Sequence, residues 1–120
     1  MVGVEELTEQ KLKSYRAIEK VCTAHEKQWN TSREFMSAFS HFSVKATQLQ
    51  MFAFNQTIVL DPVMVNNKRS VVVNPAQLTR NMQLLMQEID EILDQMKGIL
   101  ERDSKLSTFE HAFTEVLERV

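Results

Sequence analysis

Cys22 and His25 stand three residues apart, the spacing at which a thiolate and an imidazole on one helix can face each other as a nucleophile and base, or as half of a zinc site. The rest of either set is missing. A structural zinc takes four ligands, and the remaining histidines, His41 and His111, stand in no recognised ligand spacing. The second group is acidic: Glu88 and Glu91 form an i, i+3 pair, and Asp90 and Asp94 an i, i+4 pair, a pattern that can serve acid–base or metal chemistry. These carboxylates flank Ile89, Ile92 and Leu93, so they read as the polar face of an amphipathic helix turned to solvent or to a basic partner. The sequence contains no phosphate-binding glycine loop, no GxSxG and no HExxH. The expectation is a chain without catalysis, metal or cofactor.

The elements that would carry these residues are long helices. Glycine and proline number two each, and no glycine falls between Gly3 and Gly98, so most of the chain lacks an easy turn residue. A first helix is expected over about 4–54, opened by Glu5, Glu6 and Glu9, whose charges suit a helix N-terminus. Its seam is Tyr15, Ile18, Cys22, His25, Trp29, Ser32, Met36 and Phe39, continued with a small phase shift by Phe35, Phe39, Phe42, Ala46, Leu49 and Ala53. At 1.5 Å per residue such a helix would span roughly 60–75 Å.

Residues 55–73 change character. Thr57-Ile58-Val59-Leu60, Val63-Met64-Val65 and Ser70-Val71-Val72-Val73 are β-branched clusters separated by the turn-like Asp61-Pro62 and Asn66-Asn67-Lys68-Arg69. They read either as a short β-hairpin or as an irregular tip that orders against a partner. A second helix over 74–103 follows, with Asn74 as N-cap and Pro75 at the first helical position. Leu78, Met82, Leu85, Ile89, Ile92, Met96 and Ile99 form the cleanest seam in the chain, and Asp103 interrupts it. Ser107-Thr108-Phe109-Glu110 has capping-box spacing and predicts a short terminal helix over 107–120 that presents Phe109, Phe113, Val116 and Val120. The fold class is therefore all-α: one domain over 1–120, a long antiparallel helical hairpin with a Val-rich connection and a short C-terminal helix.

A net charge of −2 does not favour nucleic acid, which usually selects a basic face. Residues 1–60 carry seven basic and six acidic groups, and residues 81–120 carry four and nine, so the second half is acidic. The single cysteine excludes an intramolecular disulfide scaffold. Neither a basic-then-apolar leader nor a transmembrane run stands out. A soluble, cytoplasmic protein is expected, with a nuclear one left open, and the sequons at Asn30 and Asn55 read as chance.

Gln28-Trp29-Asn30-Thr31-Ser32-Arg33-Glu34-Phe35-Met36-Ser37-Ala38-Phe39-Ser40-His41-Phe42-Ser43 resembles the first-helix pattern of KxDL-type proteins, and Met86-Gln87-Glu88-Ile89-Asp90-Glu91-Ile92-Leu93 is similar to their second-helix motif. Met86 stands where that family has its lysine, and Glu88-Ile89 where it has Asp-Leu. The resemblance implies a subunit of coiled-coil assemblies that build lysosome-related organelles or position lysosomes, joined to other helical subunits and without a catalytic site. Ile58-Val59-Leu60-Asp61-Pro62-Val63-Met64-Val65 looks like the hairpin of prefoldin β-type subunits, with Asp61 where a glycine is usual. That likeness implies a client-binding chaperone.

Together these readings predict a non-catalytic scaffolding subunit, with a kinetochore or tethering subunit and a prefoldin-like chaperone as alternatives. Its partners would be other helical proteins, in a hetero-oligomer or a homo-oligomer. The expected interface takes the aromatic anchors Trp29, Phe39, Phe42, Phe52 and Phe54, the methionines Met64 and Met86, the second-helix residues Leu85, Ile89, Ile92, Leu93, Met96 and Ile99, and the terminal Phe109 and Phe113. Phe52, Phe54 and the apolar side chains from Ile58 to Val73 exceed what one helical pair can cover.

Overall fold

The expected first helix is broken by its own side chains. Helix α1 (Val4–Ala24) ends at His25, a short helix α2 (Glu26–Trp29) follows, and α3 begins only at Arg33 and runs to Leu60. No glycine or proline makes the break. The His25 ring nitrogen Nδ1 lies 2.8 Å from the Val21 carbonyl, and the Trp29 indole N–H donates to the Cys22 carbonyl at 2.7 Å, so two of the last carbonyls of α1 are satisfied by side chains. Ser32 then caps α3: its hydroxyl accepts the Phe35 N–H at 3.3 Å, and its carbonyl accepts the Met36 N–H at 2.9 Å.

This computed structural model describes the backbone of residues 4–60 and 75–119, and the side chains of residues 6–54 and 79–119. Helix α4 spans Pro75–Glu101, with Pro75 at its first position as expected. Asp103 ends that run with an extended backbone, and its carboxylate accepts the Lys105 N–H at the start of a 3₁₀ turn, Ser104–Leu106. Helix α5, Ser107–Glu118, follows without the expected capping box. Its N-cap is Leu106, Ser107 is already helical, and Glu110 accepts from the Thr114 hydroxyl one turn on.

The chain is all-α among its described residues. Helices α3 and α4 make the largest pairing and run antiparallel, since Arg102 meets Glu34 at 3.1 Å and Lys45 meets Glu88 at 3.0 Å. Helix α1 folds back on α3, with Tyr15 edge-on to Phe42, and it also packs on α4 and α5, while Trp29 of α2 lies against Phe35 and Phe39. In place of the expected two-helix hairpin, the described residues form a bundle of four long or medium helices, α1, α3, α4 and α5, with the short α2 between the first two. Its longest dimension is 58 Å, shorter than the roughly 75 Å of a continuous 51-residue helix. Thr57 to Leu60 belong to α3, so their β-branched cluster is helical rather than a strand. Residues 61–73, Met64 among them, and the Asn74 cap lie outside the described residues.

One core joins all the long helices. Tyr15, Ile18 and Cys22 of α1 meet Phe35, Phe42 and Leu49 of α3, the α4 seam from Met82 to Ile99, and Phe109 and Phe113 of α5. The α4 stripe folds because its apolar residues recur with the helical period on one side only, leaving Gln87, Glu91, Asp94 and Gln95 exposed on the other.

Candidate docking surface

Neither chemical group of the sequence assembles a reaction centre. Burial pushes the Cys22 thiol up to about 12, and the nearby Glu19 charge adds to the shift, so the sulfur stays protonated and weakly nucleophilic. Val21's carbonyl can only accept, so the His25 Nδ1 carries the proton and donates there. The His25 ring stacks on Phe109 at 5.4 Å between centroids. Among the described residues, no three His, Cys, Asp or Glu side chains converge as a metal site.

The acidic group splits between structure and solvent. Asp90 accepts the Tyr15 hydroxyl at 2.8 Å and Lys11 Nζ at 2.9 Å, and Glu88 pairs with Lys45. Both carboxylates therefore tie α4 to its neighbours, so the basic partner envisaged for this face is supplied by the chain's own α1 and α3. Burial raises the Tyr15 hydroxyl far above its ordinary range, with the Asp90 hydrogen bond and charge acting in the same direction. Glu91 and Asp94 are exposed, as a solvated face requires.

Most residues expected at an interface are core. Trp29, Phe42, Leu85, Met86, Ile89, Ile92, Leu93, Met96, Ile99, Phe109 and Phe113 are buried within the chain. Their partners are the chain's own helices, because α1 and α5 fold onto the faces that a two-helix hairpin would leave open. Met86 sits off the strict seam, yet that side of α4 is covered too. Phe39 and Phe52 are half-buried at the core edge, and Phe54 is 66% exposed.

A second apolar row emerges on the opposite side of α3. Met36, Val44, Met51 and Phe54 are exposed at 43%, 53%, 60% and 66%. At 3.6 residues per turn, these four, with the exposed Ser40 and Thr47 between them, fall within about 80° of the helix circumference. Phe35, Phe42, Ala46 and Leu49 face the other way, into the core. The outward row is also free of charge. From Phe35 to Leu60 the one formally charged residue is Lys45, and Glu88 of α4 engages it. Surface helices ordinarily carry charged residues opposite their core stripe, and this face carries methionine, valine and phenylalanine instead.

Pattern reading placed Met36 in the first-helix seam and left Val44 and Met51 out of the interface. The signal that finds them is the run from Phe35 to Leu60, in which Lys45 is the one formally charged residue and the apolar residues exceed what a single stripe needs. Compared with known protein families, curated proteins and solved structures, the chain matches none.

Proposed function

We propose that the chain is a non-catalytic scaffolding subunit that assembles with other helical proteins through the outward face of α3. The observation that carries this reading is the row of exposed Met36, Val44, Met51 and Phe54, with no charged residue among them on that side of the helix. Water gains from its removal, thioethers repack easily around a partner, and no desolvated charge opposes contact. A role in organelle positioning or trafficking is the form this takes under the KxDL-type resemblance, whose second stretch lies on α4. A client-binding chaperone would draw on the same face, although its hairpin reading loses residues 58–60 to the helix α3.

Affinity purification with mass spectrometry separates the two. A scaffold returns a fixed set of helical partners in stoichiometric amounts, and Val44→Asp removes them while the fold is retained. A chaperone instead suppresses aggregation of an unrelated unfolded protein and returns no fixed set. Unchanged partners with Val44→Asp would exclude the α3 face as the docking surface.

A further inference from the structure

We infer that the outward face of α3 pairs with the same face of a second copy of this chain, antiparallel about a twofold axis that passes between Ser43 and Val44. The inference rests on the docking reading above and names the occupant. The register comes from the residues themselves. Reversing the face about that point lays Met36 against Met51 of the second copy, Ser40 against Thr47, and Val44 against Ser43 and Val44 near the axis. At the ends it sets Arg33, exposed and without an ion pair among the described residues, against Phe54, where a guanidinium over an exposed ring is favourable. Large meets large at the flanks, and small polar residues meet where the helices cross. An isologous contact demands this self-complementarity.

Charge and area point the same way. A different partner is normally selected by complementary charge, and between Met36 and Phe54 this face offers none to read; its one charge, Arg33 at the end, is set by the antiparallel register on Phe54 of the second copy, far from the other Arg33. The four exposed apolar side chains present roughly 450 Å², the size of the largest apolar patches on monomers, which are often functional. From Arg33 to Phe54 the face runs roughly 31 Å along α3, and the exposed Ser40 and Thr47 between the apolar residues add to what a second copy would cover.

Sedimentation velocity of the full chain at micromolar concentration is the test, with circular dichroism of each variant as the control for folding. The wild-type chain is expected to sediment as a dimer. Val44→Asp brings two carboxylates together at the axis and is expected to weaken pairing at least about 100-fold. Met36→Glu alone is expected to give monomer, and the double variant Met36→Glu/Met51→Lys to restore the dimer. The two positions lie about four turns apart on one helix, so only the antiparallel contact brings them together. Should Val44→Asp lose its helix signal, Val44→Cys under mild oxidation replaces it and is expected to give a disulfide-linked dimer.

A wild-type monomer, a dimer indifferent to Val44→Asp, a double variant that stays monomeric, or a Val44→Cys chain that does not cross-link would each overturn self-pairing. A monomer that still co-purifies with fixed helical partners through this face overturns the twofold contact and leaves the scaffold reading standing. A monomer without partners removes both.

Discussion

The indole N–H of Trp29 donates to the carbonyl of Cys22 at 2.7 Å, across the point where one helix becomes two. That carbonyl lies in the last turn of α1, and the bond holds it while the chain bends. The same ring packs 5.2 Å from both Phe35 and Phe39. One side chain therefore satisfies the end of α1 and anchors the start of α3.

Trp29→Phe keeps most of the packing and removes the donor. The Cys22 carbonyl keeps the His25 backbone N–H at 3.1 Å, so losing the indole donor costs about 0.5–1.5 kcal/mol, and Trp29→Ala adds cavity terms that bring the loss to about 3–5 kcal/mol. Chemical denaturation followed by circular dichroism measures both. Equal stability of Trp29→Phe and wild type would show that the bond contributes nothing net.

The break explains which parts of the fold were legible. The α4 seam was readable because Met82, Leu85, Ile89, Ile92, Met96 and Ile99 repeat on one side of a helix with a polar reverse face. Asp103 likewise marked the end of that run. The turn at 25–32 was not, because it is made by His25, Trp29 and Ser32 capping backbone groups, with no glycine or proline to announce it. Ser32 falls at a weak seam position by spacing, and only its hydroxyl's bond to the Phe35 N–H makes it the cap of α3. Thr57 to Leu60 misled through β-propensity, a preference worth only tenths of a kcal/mol per residue in a helix. The outward row of α3 was hidden because a helix apolar on two sides shows no single stripe. Asp90's pairing with Lys11 and Tyr15 joins residues more than 70 positions apart, which no local spacing reports.

Alkaline stability follows from the two raised groups. Tyr15 has an ordinary value of 10.0 and is raised in the folded chain, and Cys22 rises from 9.0 to about 12. Both are protonated in the native state over a range where the unfolded chain has released the proton. Their contribution is complete below about pH 9 and is lost as pH rises, first for Cys22 and then for Tyr15, at up to about 1.4 kcal/mol per pH unit for each. Denaturation midpoints from pH 8 to 11 should therefore fall, and Tyr15→Phe should flatten the upper part of the curve. With one tyrosine in the chain, absorbance at 295 nm should show phenolate only as the protein unfolds. Ionisation near pH 10 with the helices intact would contradict the buried hydroxyl.

Ile92 and Glu91 are adjacent in sequence and opposite in environment, one buried in the core and the other exposed. Ile92→Asp places an unpaired carboxylate among apolar neighbours and should cost on the order of 3 kcal/mol or more. Glu91→Lys should shift stability by less than about 0.5 kcal/mol. Thermal denaturation of the isolated chain measures both. Because Ile92 is core, its loss should appear in the chain alone, before any partner is added. An Ile92→Asp chain as stable as wild type would place that side of α4 at an intermolecular contact instead.

Gly98 lies inside α4, three residues before its end, where the helix has no need of a glycine. A methyl group built at its Cα meets nothing within 4 Å, and the residue is half-exposed. Glycine in a helix interior gives up more backbone freedom on folding than alanine does, so Gly98→Ala should stabilise the chain by about 0.5–1 kcal/mol with the packing untouched. The gain should appear as a higher denaturant midpoint with an unchanged slope, since the surface exposed on unfolding stays the same. It should also leave sedimentation unaltered, because the site belongs to α4 and not to the outward face of α3. If Gly98→Ala instead destabilises the chain or changes its association, the space beside Gly98 is occupied in solution by another helix, and a second contact surface must be placed on α4.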